Sequence, residues 1–162
     1  MVDSALDTNE IPAHTGAPGA GVERGPSDTV PAPFAQDEVV ELVVPARTEH
    51  LRLVRLAAAG VASTVGFGLD RLEELRIAVD ELAAVAIDES DPHQRLSIRY
   101  AGASGTVTVT GRVASAAAAA PALHRVAQEL LDLMADDYSI NVADGHLEFH
   151  LVKHGAPDTT DA

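Results

Sequence analysis

The residues best placed to do chemistry lie between Leu75 and Ser90. Ile77, Glu81, Val85 and Asp88 follow one another there at steps of four, four and three. On a helix that spacing sets a carboxylate in line with an apolar residue one turn on and a second acid beyond it. Function is to be sought on that face. Asp88 shares it with Glu81 two turns on and is a candidate metal ligand, although magnesium sites lean on substrate phosphates as well. Asp88, Glu89 and Asp91 also crowd the end of the helix, where the dipole is already negative. Such local conflicts concentrate at functional sites. The plain alternative is that Pro92 ends the helix and water hydrates the acids.

Three other groups qualify for chemistry. Arg47, Arg52 and Arg55 are a compact basic set in an acidic chain, with Arg52 and Arg55 about one turn apart and expected in solvent. His146, Glu148 and His150 alternate along a strand and point to one face, where they suit a divalent transition metal or the solvated side of an amphipathic strand. The second reading is preferred, because no further ligand is in view. His124 has no partner in sequence and reads as a surface residue. Nucleophile-elbow, phosphate-loop and zinc spacings are absent from the sequence.

The elements that must hold these residues follow from periodicity. Leu72, Leu75, Val79, Leu82 and Ala86 lay an apolar stripe along the central helix. Asp70 and Glu73 predict a capping box at its start. Upstream, Glu38 to Val44 reads as a strand that stops at Pro45. Thr48 is the expected N-cap of a helix carrying Leu51, Val54, Ala58, Val61, Ala62 and Val65, which Gly66 and Gly68 end. Downstream, Leu96, Ile98 and Tyr100 and then Val107, Val109 and Val113 predict a hairpin across residues 101–105. Ser115 to Ala120 is a small-residue connection, and Pro121 is expected to open a third helix bearing Leu123, Val126, Ala127, Leu130, Leu131 and Met134. Tyr138 to Val142 and His146 to Val152 form a second hairpin around Ala-Asp-Gly. The order β-α-α-β-β-α-β-β predicts a two-layer α+β sandwich, with three helices on one face of a mostly antiparallel, mixed five-stranded sheet.

Bulk properties narrow the function classes. Residues 1–36 carry five prolines among Gly, Ala, Ser and Thr without helix or strand period, so they read as a flexible tail. A domain over 37–154 and a short polar tail over 155–162 complete the chain. No apolar run approaches the roughly 20 residues that span a bilayer, and no secretory signal opens the sequence, so no membrane association and a cytoplasmic location are expected. The absence of cysteine excludes disulfides and thiolate chemistry. A net charge of -14 argues against nucleic acid and anionic membranes as ligands and fits a basic protein partner better.

The run Leu75 to Ile87 resembles the N-box helix of the histidine-kinase-like (GHKL, Bergerat-fold) ATPases. It is closest to the bacterial anti-sigma factor serine/threonine kinases, with their typical Leu-x-Ile-Ala-Val-x-Glu-Ala-x-x-Asn-Ala-Ile. The strand ending in Pro45-Ala46, the helix with Leu51, Val54 and Arg55, and the closing Leu151-Val152-Lys153 extend the likeness over most of residues 38–153. The resemblance implies that Glu81 stands at the base or water-orienting position. It also implies that Val85 stands where the family's asparagine holds the magnesium bridging the nucleotide phosphates. Valine has no oxygen for a hard cation.

Two further motifs are replaced. Where the family carries Asp-x-Gly-x-Gly to read adenine, this chain has Thr110-Gly111-Arg112-Val113-Ala114. Where a glycine-rich turn would cradle phosphate, residues 118–124 hold no glycine and Pro121 removes a donor. No cofactor is expected from these residues; magnesium and ATP are implied by the resemblance alone. The degenerate actinobacterial anti-sigma factors are the subgroup this chain most resembles. The reading is a regulator that sequesters a sigma factor by protein binding, with Arg55 at the family's sigma-contacting position. A homodimer through the first strand and an anti-anti-sigma partner are further implied. The alternative is an active serine/threonine kinase that uses Glu81 as base to phosphorylate that anti-anti-sigma protein.

Overall fold

The computed structural model describes residues 38–155. The tail expected over 1–36 lies outside them, as does all of the C-terminal tail beyond Gly155. Strand β1, Glu38–Pro45, leads through a 3-10 turn at Thr48–His50 into helix α1, Leu51–Thr64, and helix α2, Leu69–Asp88. A hairpin of β2, Arg95–Ala103, and β3, Thr106–Ala114, precedes helix α3, Arg125–Met134, and a closing hairpin of β4, Asp137–Ala143, and β5, His146–His154. The sheet order is β1-β2-β3-β5-β4. Every neighbouring pair is antiparallel, so the sheet is not mixed as expected. Both hairpins join adjacent strands directly, and β1 pairs with β2 and β3 with β5 without a parallel crossover.

Alternation decides which face is dry. Leu96, Ile98 and Tyr100 on β2, Val107, Val109 and Val113 on β3, and Leu147, Phe149 and Leu151 on β5 are buried beneath the helices. Between them the polar residues of each strand face out. Fully burying a leucine contributes ~1.5–3 kcal/mol, so α2, which buries Leu75 and Leu82 completely, is a main anchor of the core. The buried Tyr100 hydroxyl donates to the Val54 carbonyl at 3.0 Å and pins α1 to the sheet. Burial pushes that phenol's pKa well up. Gly111 faces the core across from Phe149, and a Cβ there would lie 2.1 Å from the ring.

The helix ends correct several expectations. Thr48 does not cap α1: it starts the 3-10 turn, and His50 sits at the helix N-cap without a side-chain cap. The end of α1 follows the sequence reading. Gly66 adopts φ +82, its N–H donates to Ser63 at 3.2 Å, and the Phe67 N–H donates to Ala62 at 3.0 Å. That pair of reversed bonds satisfies the last carbonyls. No capping box forms at α2 either, because the chain enters two residues earlier. Gly68 is the N-cap, Asp70 lies inside the first turn and Glu73 pairs with Arg76. Pro121 does not open α3, which begins at Arg125. Residues 115–124 stay non-helical, and Leu123 reaches the core from that segment. Val126, expected on the buried stripe, is 68% exposed. The first hairpin turn is also tighter than expected. Ser104 and Gly105 alone make it, at φ 48 and 72, the two-residue geometry that suits twisted strands. Asp144 and Gly145 repeat it in the second hairpin.

Candidate functional site

Helix α2 turns Leu75, Ala78, Val79, Leu82, Ala83 and Ala86 into the core. That orientation leaves Ile77, Glu81 and Val85 half-buried along another side and Asp88 exposed. Glu81 makes no side-chain hydrogen bond or ion pair among the described residues, so its carboxylate is free for a ligand. One residue before it, Asp80 receives Arg55 of α1, with Nη1 to Oδ1 at 2.7 Å and both side chains about one-third exposed. Arg55 is therefore not a simple solvated arginine. It is aimed along α2 by a neighbour 25 residues on, and no local spacing in the sequence announces that pair. Arg47 and Arg52 are exposed, as expected.

The acidic end of α2 meets the connection after β3. Ser115 donates its hydroxyl to the Glu89 carbonyl at 2.7 Å and accepts from the Ala117 N–H at 3.1 Å, while its own N–H reaches Gly145 at 3.0 Å. A hollow of about 520 Å³ opens there, bordered by Asp88, Glu89, Asp91 and Ser115. Asp91 is used locally, accepting from the His93 N–H at 2.8 Å. A second hollow of about 300 Å³ lies between Pro121, Leu123, Gln128, Tyr138 and Ile140. Glu81 borders neither. Desolvation and a hydrogen bond to Asp132 at 2.7 Å push the Tyr138 phenol up to about 12.

The donor set does not fit magnesium and a nucleotide triphosphate. Val85 offers no oxygen next to Glu81, residues 110–114 offer no carboxylate, and the segment before α3 offers no glycine-lined cradle. His124, at the N-cap of α3, makes no side-chain cap. Nor does the His146, Glu148 and His150 face gather as a metal site, because Arg112 inserts there. Its Nε stands 3.2 Å from Glu148 and its Nη2 3.2 Å from the His146 Nδ1.

One charged cluster escaped the sequence reading. Lys153 on β5 is 1% exposed, with its ammonium 2.6 Å from Glu74 of α2 and 3.9 Å from Asp136. Asp136 also accepts from the His154 N–H at 2.7 Å. The Lys153 hydrogen bond, opposed by partial desolvation and helped by the charges of Lys153 and Arg71, holds the Glu74 carboxyl below its ordinary 4.5. A signal was available, since Lys153 continues the inward alternation of Leu147, Phe149 and Leu151.

Segments of this chain match proteins of known name. It is 36% identical over 66 residues to serine-protein kinase RsbW of Bacillus subtilis (strain 168), which covers 39% of this chain and 41% of that protein. It is 36% identical over 55 residues to serine-protein kinase RsbW of Halalkalibacterium halodurans, covering 34% of each. Over 44 residues it is 41% identical to serine-protein kinase RsbW of Bacillus thuringiensis, covering 27% of this chain and 28% of that protein. These segments of the chain are similar to the RsbW serine-protein kinases. The chain spans less than half the length of each of these three relatives. No protein-family model matches it. Among the described residues the α+β architecture, five antiparallel strands under three helices, is consistent with a GHKL-like ATPase fold. Within that likeness the structure brings Glu81 and Val85 together on one side of α2 and sets Arg55 against Asp80 of the same helix. It leaves His124, His146 and His150 on other elements. Among the described residues no helix is long and apolar enough to cross a membrane.

Proposed function

We propose that this RsbW relative is an anti-sigma-factor-like regulator that holds an alternative sigma factor by protein-protein binding, without a competent nucleotide site. The observation that carries the reading is Val85. On an otherwise well-packed N-box-like helix it replaces the oxygen ligand that must follow Glu81 by one turn. The acidic balance of the chain supports a partner whose DNA-contacting faces are basic. So does the outer face of α1, where Leu53 and Leu56, 39% and 66% exposed, flank Arg52 and the Asp80-braced Arg55. Arginine is enriched at binding hot spots, and apolar neighbours such as these leucines help to exclude water around it. The folding unit over 37–154, a cytoplasmic location and a homodimer through β1 belong to the same reading.

The rival is a working serine/threonine kinase acting on an anti-anti-sigma protein. The likeness to serine-protein kinases and a Glu81 without a side-chain partner among the described residues favour it, and in it Glu81 orients the substrate hydroxyl. Isothermal titration of the full chain with Mg-ATP separates the two. The regulator reading expects no binding tighter than roughly 100 μM, about -5.5 kcal/mol. Tighter binding, with phosphate transfer that Glu81→Gln abolishes, establishes the kinase instead. For the partner surface, Arg55→Ala is expected to weaken capture of the cognate sigma factor at least about tenfold. Unchanged affinity removes Arg55 from the interface.

A further inference from the structure

One end of the open face of the sheet gathers cations in an otherwise acidic chain. The central strands of that face, β2, β3 and β5, carry Arg95, Arg99 and Arg112 with His146, His150 and His154 beside Glu148, while the edge strands add Glu41, opposite Arg99, and Asp137, both away from the Arg95 and Arg112 end. The whole chain has 25 acidic residues against 11 basic ones, so this concentration of cations is local. At one end of the face lies a hollow of about 450 Å³ bordered by His93, Arg95, Ser97, Arg112 and His146, with no acidic residue in its wall. Arg95 makes no ion pair or side-chain hydrogen bond among the described residues. Arg112 spends its Nε on Glu148 and directs Nη2 toward His146, leaving other guanidinium N–H groups directed to none of these partners.

We propose that this face is a docking site for an acidic peptide segment of a protein partner, with Arg95 and Arg112 each taking a carboxylate. Arg95 and Arg112 stand on adjacent strands, and Ser97 rather than Arg95 is paired with Arg112. Strand spacing and rise then put the two arginine backbones about 8 Å apart on the diagonal. Side chains at i and i+2 of an extended peptide are about 7 Å apart. Acids alternating along an extended segment therefore match the two guanidiniums, which bind carboxylates in a two-pronged geometry.

Nucleic acid fits less well. Three arginines fall short of the roughly 6–10 phosphate contacts of a duplex binder. Tyr100 and Phe149 point into the core, so no aromatic on the three central strands is available to stack on bases. A second copy seated hollow to hollow fits less well too, because Arg95 and Arg112 would then meet their own like charges. The site is distinct from the α1 surface and does not depend on the regulator reading.

The test is fluorescence anisotropy with a labelled peptide of alternating Glu and Ser, titrated with the full chain at low salt. Binding is expected to exceed that of the matching Gln/Ser peptide by at least about tenfold and to weaken as salt is added. The double variant Arg95→Glu/Arg112→Glu should lose at least about tenfold in affinity. Arg125→Glu, on α3 with a 90% exposed side chain, should lose nothing. Because a glutamate at 112 would face Glu148, Arg95→Gln/Arg112→Gln is measured beside it, with thermal midpoints for both. Loss of binding by the glutamine pair at an unchanged midpoint supports the site. Four results overturn it: no preference for the acidic peptide, equal binding by the glutamine pair, tighter binding of a single-stranded oligonucleotide of equal charge, or a homodimer that Arg112→Gln dissociates.

Discussion

Helix α2 and the segment over 115–124 meet at one corner of the fold and differ in what fixes them. A continuous stripe from Leu75 to Ala86 buries α2, and the Glu74 to Lys153 contact ties it to β5. The helix would keep its place whatever its half-buried side carried. The segment after β3 is held at one end by Ser115 and near the other by Leu123, and between them runs a stretch of alanines. Any chemistry there would have to come from the residues themselves, and alanine has none. A scaffold persists where the core requires it, and a ligand contact persists only where a side chain serves that contact.

The largest effect should fall on the tie between α2 and β5. Glu74→Ala leaves the ammonium of a fully buried Lys153 with only Asp136 at 3.9 Å, and stranding a buried charge costs ~3–5 kcal/mol. Lys153→Met should cost less, ~1 kcal/mol, because Glu74 and Asp136 each keep access to water. Glu81→Ala should change stability by less than about 0.5 kcal/mol, as expected for a side chain without a structural partner. Urea unfolding of the three variants orders them. A Glu81 variant that proved as damaging as the Glu74 one would erase the distinction between the buried and outer sides of α2.

Next in size is Gly111, at the end of the sheet that feeds the alanine segment. Gly111→Ala drives a methyl into the Phe149 ring and should cost ~1–3 kcal/mol. Ala119→Ser, in the segment itself, should cost less than about 0.5 kcal/mol. Equal costs would mean that the segment is packed as tightly as the sheet.

A smaller effect comes with acid. The folded Glu74 carboxyl titrates below the 4.5 of the unfolded chain, so the unfolded state binds more protons as pH drops through that window. The stability that Glu74 contributes is present above pH 4.5 and is lost as pH falls toward the folded value. The thermal midpoint of the wild type should fall more steeply than that of Glu74→Gln over that interval. Parallel curves would show that the Lys153 contact contributes no linkage.

Periodicity carried most of the fold. Strand alternation and the α2 stripe were readable because burial repeats every two residues or every three to four. Helix starts were not. Thr48, Asp70 and Pro121 all have good capping chemistry, but where the chain enters a helix depends on the path it must take from the preceding element. At the site, Glu81 and Val85 were legible as a spacing on one helix. The partners of Arg55 and Lys153 lie 25 and 79 positions away in sequence, and no local pattern connects them.

The smallest expected effect is the most informative about the corner. Val85→Asn restores, one turn after Glu81, the oxygen that a hard cation needs. If only α2 had changed, that single substitution should bring Mg-ATP binding into reach. The phosphates, however, would still meet a segment with no glycine and with Pro121 in place of an N–H donor. One added ligand contributes about 1.5–3 kcal/mol, as a hydrogen bond to a charged group does. That is not enough to lift a site without phosphate contacts above millimolar, about -4 kcal/mol. Titration of Val85→Asn should therefore look like the wild type. Micromolar binding by the variant would mean that the segment over 115–124 can cradle phosphate through backbone groups after all, and that the two halves of the corner differ by one residue.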